Sequence, residues 1–185
     1  MAGAVAEGKK TMKDFSKKTY QVSLGAMLTV LSLLTLYLSA VLPAGQLTLY
    51  FLSAVFIAPM LYERQPRAAF LVYVTTSVLS LLIMPGMILS LPYILLFGHY
   101  GIGKYLIEEN CHRKRAYLYK WIYYNICMIL IYFTCFQAVA GEALRSLAWP
   151  WLLVGAQVAF VIFDFLYSRV IVLYKRYIRR ALIGN

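Results

Sequence analysis

Asp164 lies in the stretch VIFDFLYSRV, residues 161–170, inside an apolar run that otherwise reads as one continuous helix. Carrying an ionised side chain into hydrocarbon costs at least a few kcal/mol (about 2.5–3.5 on insertion scales), so such a residue is kept where it has a partner or a task. Two other polar residues share its level. His99, Asn125 and Asp164 each stand five positions from a cation, respectively Lys104, Lys120 and Arg169. At about 1.5 Å per helical residue, each lies about 7 Å beyond its cation. A carboxylate, an imidazole and a carboxamide at one depth have three uses: a polar layer whose members satisfy one another, a proton or ion relay, or contact with a ligand or partner. Arg169 is about 140° around the helix from Asp164, so it reads as a side chain reaching for the interface, as do Lys104 and Lys120. Gln157, Asp164, Ser168 and Lys175 share one face of the same helix.

The elements that must position these residues follow from hydropathy. The 185-residue chain has 14% charged and 62% hydrophobic residues, with a mean hydropathy of +0.71. That is far too apolar for a soluble domain, which carries about a quarter charged residues. Apolar runs separated by Pro, Gly and charge clusters give an all-α, polytopic membrane bundle of six spans, at about 22–42, 47–61, 68–84, 91–107, 117–138 and 149–172. Residues 1–21 read as a basic cytoplasmic tail and 22–180 as a single membrane domain. The second, third and fourth spans are short against the roughly 17–25 residues that cross a bilayer. Pro59, Pro85 and Pro92 stand in or beside them, where they end or kink helices.

Charge assigns the sides. Of 18 Lys and Arg residues, all but Arg145 fall in the tail, the 62–67 turn, the 108–116 loop with its flanks, or the final helix. Cytoplasmic ends of spans carry such an excess, so both termini are expected on the cytoplasmic side of the cell membrane. The net charge of +11 is thereby explained without nucleic acid, and the membrane lipids themselves are partners. Cys111, Cys127 and Cys135 show no C-x-x-C spacing and read as ordinary thiols.

Two further groups of residues offer contacts. In the first span Gly25, Thr29, Ser32, Thr35 and Ser39 lie on one face, where another helix can approach closely. That helix belongs either to the chain itself or to a partner subunit docking on Gly25, Thr29 and Ser32. On the outer half, Tyr93, Gln137, Trp149, Trp151 and Gln157 combine aromatic surface with sparse polar groups, as a small-molecule pocket does. They equally suit an interfacial aromatic belt. Catalytic signatures are missing: there is no H-E-x-x-H, G-x-S-x-G or Walker loop, and the glycines of GHYGIG, residues 98–103, follow no strand. The chain reads as a non-enzyme without cofactor or metal.

Six short spans, a basic tail, a small-residue face on span one, the passage LPAGQLTLYFLSAVFIAPMLYE and a basic last helix resemble the substrate-binding S-components of energy-coupling factor (ECF) transporters. The resemblance implies capture of a vitamin-like small molecule from the outer face and docking on a coupling subunit through span one, with ATPases driving release. In the family the docking element is Ala-x-x-x-Ala, whereas Gly25 and Thr29 stand at that spacing here. The alternative is a non-transporting membrane scaffold or partner subunit, similar in plan to the rod-shape-determining subunits of the cell-wall machinery.

Overall fold

The computed structural model describes residues 2–42, 45–136 and 149–173. Gln137, the 140–148 loop and the basic residues after 173 lie outside them. Every element among the described residues is helical: α1 (Ala2–Val41), α2 (Gln46–Val55), α3 (Ala58–Tyr62), α4 (Pro66–Ile83), α5 (Met87–Pro92), a π turn (Tyr93–Phe97), α6 (Gly98–Asn110), α7 (Arg113–Ile131), a second π turn (Tyr132–Phe136) and α8 (Trp149–Leu173). Among the described residues, Lys18–Val41 and Pro66–Ile83 are long and apolar enough to cross a membrane, and Gln46–Tyr62 is a shorter apolar segment.

The breaks have local causes. The stretch expected as a second span is two helices, because Pro59 in the first turn of α3 has no N–H to continue α2. The residues read as a basic tail are helical from Ala2 onward, so α1 is much longer than the apolar run within it. Gly45 takes φ 86° before α2, a left-handed conformation that glycine adopts without a Cβ clash. Arg64 is also left-handed, at φ 55°. It closes α3 in a Schellman pattern, with Gln65 N donating to Met60 O at 3.1 Å and Arg64 N to Leu61 O at 3.0 Å.

The small-residue face of α1 is filled from within the chain. α1 packs on α2 and α4, and a Cβ on Gly25 would stand 3.3 Å from Met60 of α3 and 3.4 Å from Val72 of α4. Ser32 and Ser39 are fully buried, with Thr29 and Thr35 nearly so. Ser32 Oγ donates to Ser53 O of α2 at 3.2 Å. Thr29 and Ser39 bond carbonyls of their own helix, Gly25 O at 2.9 Å and Leu36 O at 2.7 Å. The partner-docking residues Gly25, Thr29 and Ser32 are therefore covered by α2, α3 and α4, because small side chains draw the nearest helix backbones into contact.

Small hydroxyl groups are buried within the apolar core, and many large apolar side chains are exposed. Ser53, Thr76, Ser80 and Ser90 are buried along with the α1 hydroxyls, while Val22, Leu71, Leu82, Met87 and many other large apolar side chains are exposed. The core has an aliphatic part around Leu28, Ile57, Met60, Leu61 and Val72 and an aromatic part. Tyr100 meets Phe163 with centroids 4.8 Å apart and Tyr124 meets Phe160 at 4.5 Å, joining α6, α7 and α8.

α6 admits these rings by being thin. Gly98 lies under Tyr73, Gly101 under Tyr167 and Gly103 under Tyr123, so tyrosines from α4, α8 and α7 rest on the α6 backbone. The GHYGIG glycines thus serve packing. Gly101→Ala would drive a methyl into the Tyr167 hydroxyl and is expected to destabilise by about 1–3 kcal/mol, as overpacking does. Thermal unfolding in detergent should show a lowered midpoint, and the double variant Gly101→Ala/Tyr167→Leu should lose less than the sum of its single changes.

Candidate functional site

The polar centre of the molecule gathers on α6, α7 and α8. Two positions on α6 four residues apart, Tyr100 and Lys104, share the face turned to α8, and on α8 Asp164 and Ser168 do the same. Lys104 Nζ donates to Asp164 Oδ1 at 2.5 Å, to the Asp164 carbonyl at 2.9 Å and to Ser168 Oγ at 2.6 Å. Tyr100 Oη donates to the same Oδ1 at 2.9 Å. From α7, Lys120 Nζ reaches Asp164 Oδ2 at 3.1 Å and Glu108 Oε1 of α6 at 2.9 Å.

Two ammonium and two carboxylate groups thus form a quartet of zero formal charge. Lys104 is 2% exposed, whereas the Glu108 side chain is 47% exposed, so the quartet runs from the interior to one rim. Each buried charge has a counter-charge and further hydrogen bonds, the condition under which ionised groups are tolerated away from water. The three protons of Lys104 match its three acceptors, leaving none to seek another partner. The cluster fastens three helices at one end of the bundle.

The expected mutual contact of His99, Asn125 and Asp164 gives way to three separate arrangements. His99 Nδ1 pairs with Tyr123 Oη at 2.6 Å and its ring meets Tyr73 edge-on. Asn125 bonds Gln157 and the Trp121 carbonyl, and Asp164 takes the lysines. Counting residues along a helix does not fix direction: His99 is one residue, about 100°, from Tyr100, so the two side chains cannot both face α8. Asn125 meets α8 at Gln157, seven residues before Asp164. Lys104 and Lys120 likewise turn inward rather than out toward headgroups, because Asp164 offers a stronger partner than hydration at the rim. Arg169 is exposed, its guanidinium 4.9 Å over the Phe165 ring.

Of the residues read as a small-molecule pocket, Tyr93 and Gln157 stand in different surroundings. Tyr93 is fully buried in the aromatic core, its hydroxyl beside Thr76. Gln157 lies instead on the α7–α8 face, accepting from Trp121 Nε1 and donating to Asn125 Oδ1, both at 2.9 Å. Trp149 and Trp151 belong to the first turn of α8, and Gln137 is outside the described residues. Gln157 lines a cleft of about 310 Å³ with Tyr117, Leu118, Trp121, Phe160 and Val161. Among the described residues no cluster of His, Cys, Asp and Glu is arranged to hold a metal.

Tyr100 and Glu108 were not singled out by sequence reasoning, whereas Ser168 was read on the face of Asp164. The signal for Tyr100 and Glu108 was the spacing of four that links both to Lys104. Removing one partner of a buried ion pair costs about 3–5 kcal/mol, whereas replacing the pair with apolar groups is often near neutral. Asp164→Leu should therefore lower the unfolding midpoint sharply. Lys104→Met/Asp164→Leu should recover most of the loss, since Lys120 keeps Glu108, and thermal melts of the three proteins check this.

Compared with family models, with curated proteins and with solved structures, the chain finds no match.

Proposed function

We propose that the chain is a multi-pass cell-membrane protein of six spans with cytoplasmic termini, and that it acts as the small-molecule (vitamin-like) binding subunit of an ECF-type uptake transporter. The observation that carries this reading is a polarity between the two ends of α5 to α8. In the proposed orientation the inner end is closed by the Lys104, Asp164, Lys120 and Glu108 quartet. The helical interruptions at Tyr93–Phe97 and Tyr132–Phe136 fall on the outer side of it. π turns widen the backbone spiral and recur at functional sites. A bundle fastened inside and irregular outside suits capture from the outer face.

The membrane placement is supported by the exposed apolar side chains on every long helix and by the two helices of spanning length. Docking on a coupling subunit then uses a surface other than Gly25, Thr29 and Ser32, which α2 to α4 cover. That same coverage, with Tyr93 enclosed by its own neighbours, favours a second reading, a scaffold or partner subunit that carries no substrate.

Native mass spectrometry and thermal shift against a vitamin panel separate the two. A retained small molecule, or a midpoint raised by one vitamin, together with co-purifying coupling subunit and ATPases, is expected of the transport reading. An empty protein that no vitamin stabilises, recovered with peptidoglycan synthases, supports the scaffold. Orientation is checked at Cys111, in the inner loop: with Cys135 replaced by Ala, an impermeant maleimide should label Cys111 only after the cells are opened.

A further inference from the structure

We infer that the α7–α8 face is a dimerisation surface, on which a second copy of this chain packs across the cleft beside Gln157 and is joined through the carboxamides of Asn125 and Gln157. The inference rests on the membrane placement proposed above. Gln157 stands twelve residues outward of Arg169, about 18 Å along α8. That is near the middle of a hydrocarbon core about 30 Å thick. Asn125 is hydrogen-bonded to it and so shares that depth.

Counting donors and acceptors exposes a surplus. A primary amide has two N–H groups and two acceptor lone pairs. Gln157 gives one hydrogen to Asn125 and accepts one from Trp121, while Asn125 gives one to the Trp121 carbonyl and accepts one from Gln157. One N–H and one lone pair remain on each amide. Both residues are partly exposed, beside a cleft whose walls Leu118 and Val161 are more than half exposed. Lipid tails cannot satisfy these groups.

What covers this face must bring donors and acceptors to the midplane. The surplus is self-complementary, since each amide offers both halves of a hydrogen bond. Two copies related by a two-fold axis would each supply what the other lacks. The exposed apolar side chains that line the same cleft, Leu118 and Val161, give the contact its packing.

The test is energy transfer between donor- and acceptor-tagged full-length copies in phospholipid vesicles, over a range of protein-to-lipid ratios. Wild type should show density-dependent transfer that saturates as a dimer. Asn125→Leu/Gln157→Leu should weaken association by at least about tenfold, as expected from losing several interhelical hydrogen bonds. Because those amides also join α7 to α8, Val161→Trp provides a second variant, which blocks the cleft with both amides intact and should weaken association similarly. Wild type monomeric at every density overturns the inference, as does transfer that persists in both variants. Alkaline carbonate extraction separates the causes of failure: an integrated monomer sinks the dimer alone, whereas an extracted chain sinks the membrane placement and the dimer together.

Discussion

Keeping the charge of Asp164 inside a bundle of apolar helices is the constraint on which the arrangement of α6, α7 and α8 depends. A lone carboxylate there would be too costly to retain. Lys104 and Lys120 answer it from two different helices, and their side chains must be drawn inward to do so. Lys104 in turn needs three acceptors, which the Asp164 carboxylate, the Asp164 carbonyl and Ser168 provide. The glycines of α6 make this approach feasible, since they let tyrosines from α4, α7 and α8 lie directly against its backbone.

The first four helices are held by a different device. There the polar groups are hydroxyls, and most bond a carbonyl within their own helix, as Thr29, Ser39, Ser53 and Ser80 do. Such groups need no partner across the interface, so the helices are free to approach by shape. Ser32 reaches Ser53 O of another helix, Tyr50 and Tyr73 reach the carbonyls of Leu89 and Ile94, and Ser90 of α5 reaches back to Ser80 O. The bundle therefore has one half joined by packing of small residues and one half joined by ions, with aromatic rings between.

Much of the helical plan was legible in the sequence, because apolar runs and their Pro and Gly interruptions are local. Counting residues put His99, Asn125 and Asp164 at one depth, but Asn125 meets Gln157, seven residues before Asp164. Their partners did not follow from the count, because direction around a helix depends on its rotation within the bundle, which neighbours decide. Lys104 and Lys120 read as interfacial for the same reason: a lysine near a helix end has a long stem that serves either a headgroup or a buried acid, and only the position of Asp164 on another helix selects between them. The break of the second apolar run was signalled by Pro59. The helicity preceding residue 22 was not, since Gly8 and a cluster of lysines argue for solvent rather than for any backbone conformation.

The π turn at Tyr93–Phe97 has a consequence for tolerance to insertion and deletion. Gly98 N donates to Tyr93 O, five residues back instead of four, so the turn holds one residue more than an α-helix would. At about 100° per residue, that extra residue sets the rotational phase of everything after it in α6. A chain shortened by one residue within 93–97 would reach α6 with its faces turned by that angle and present the neighbours of Tyr100 and Lys104 to α8. The interruption thus works as a phase setting: length in this short segment, more than its side chains, decides which residues of α6 meet Asp164.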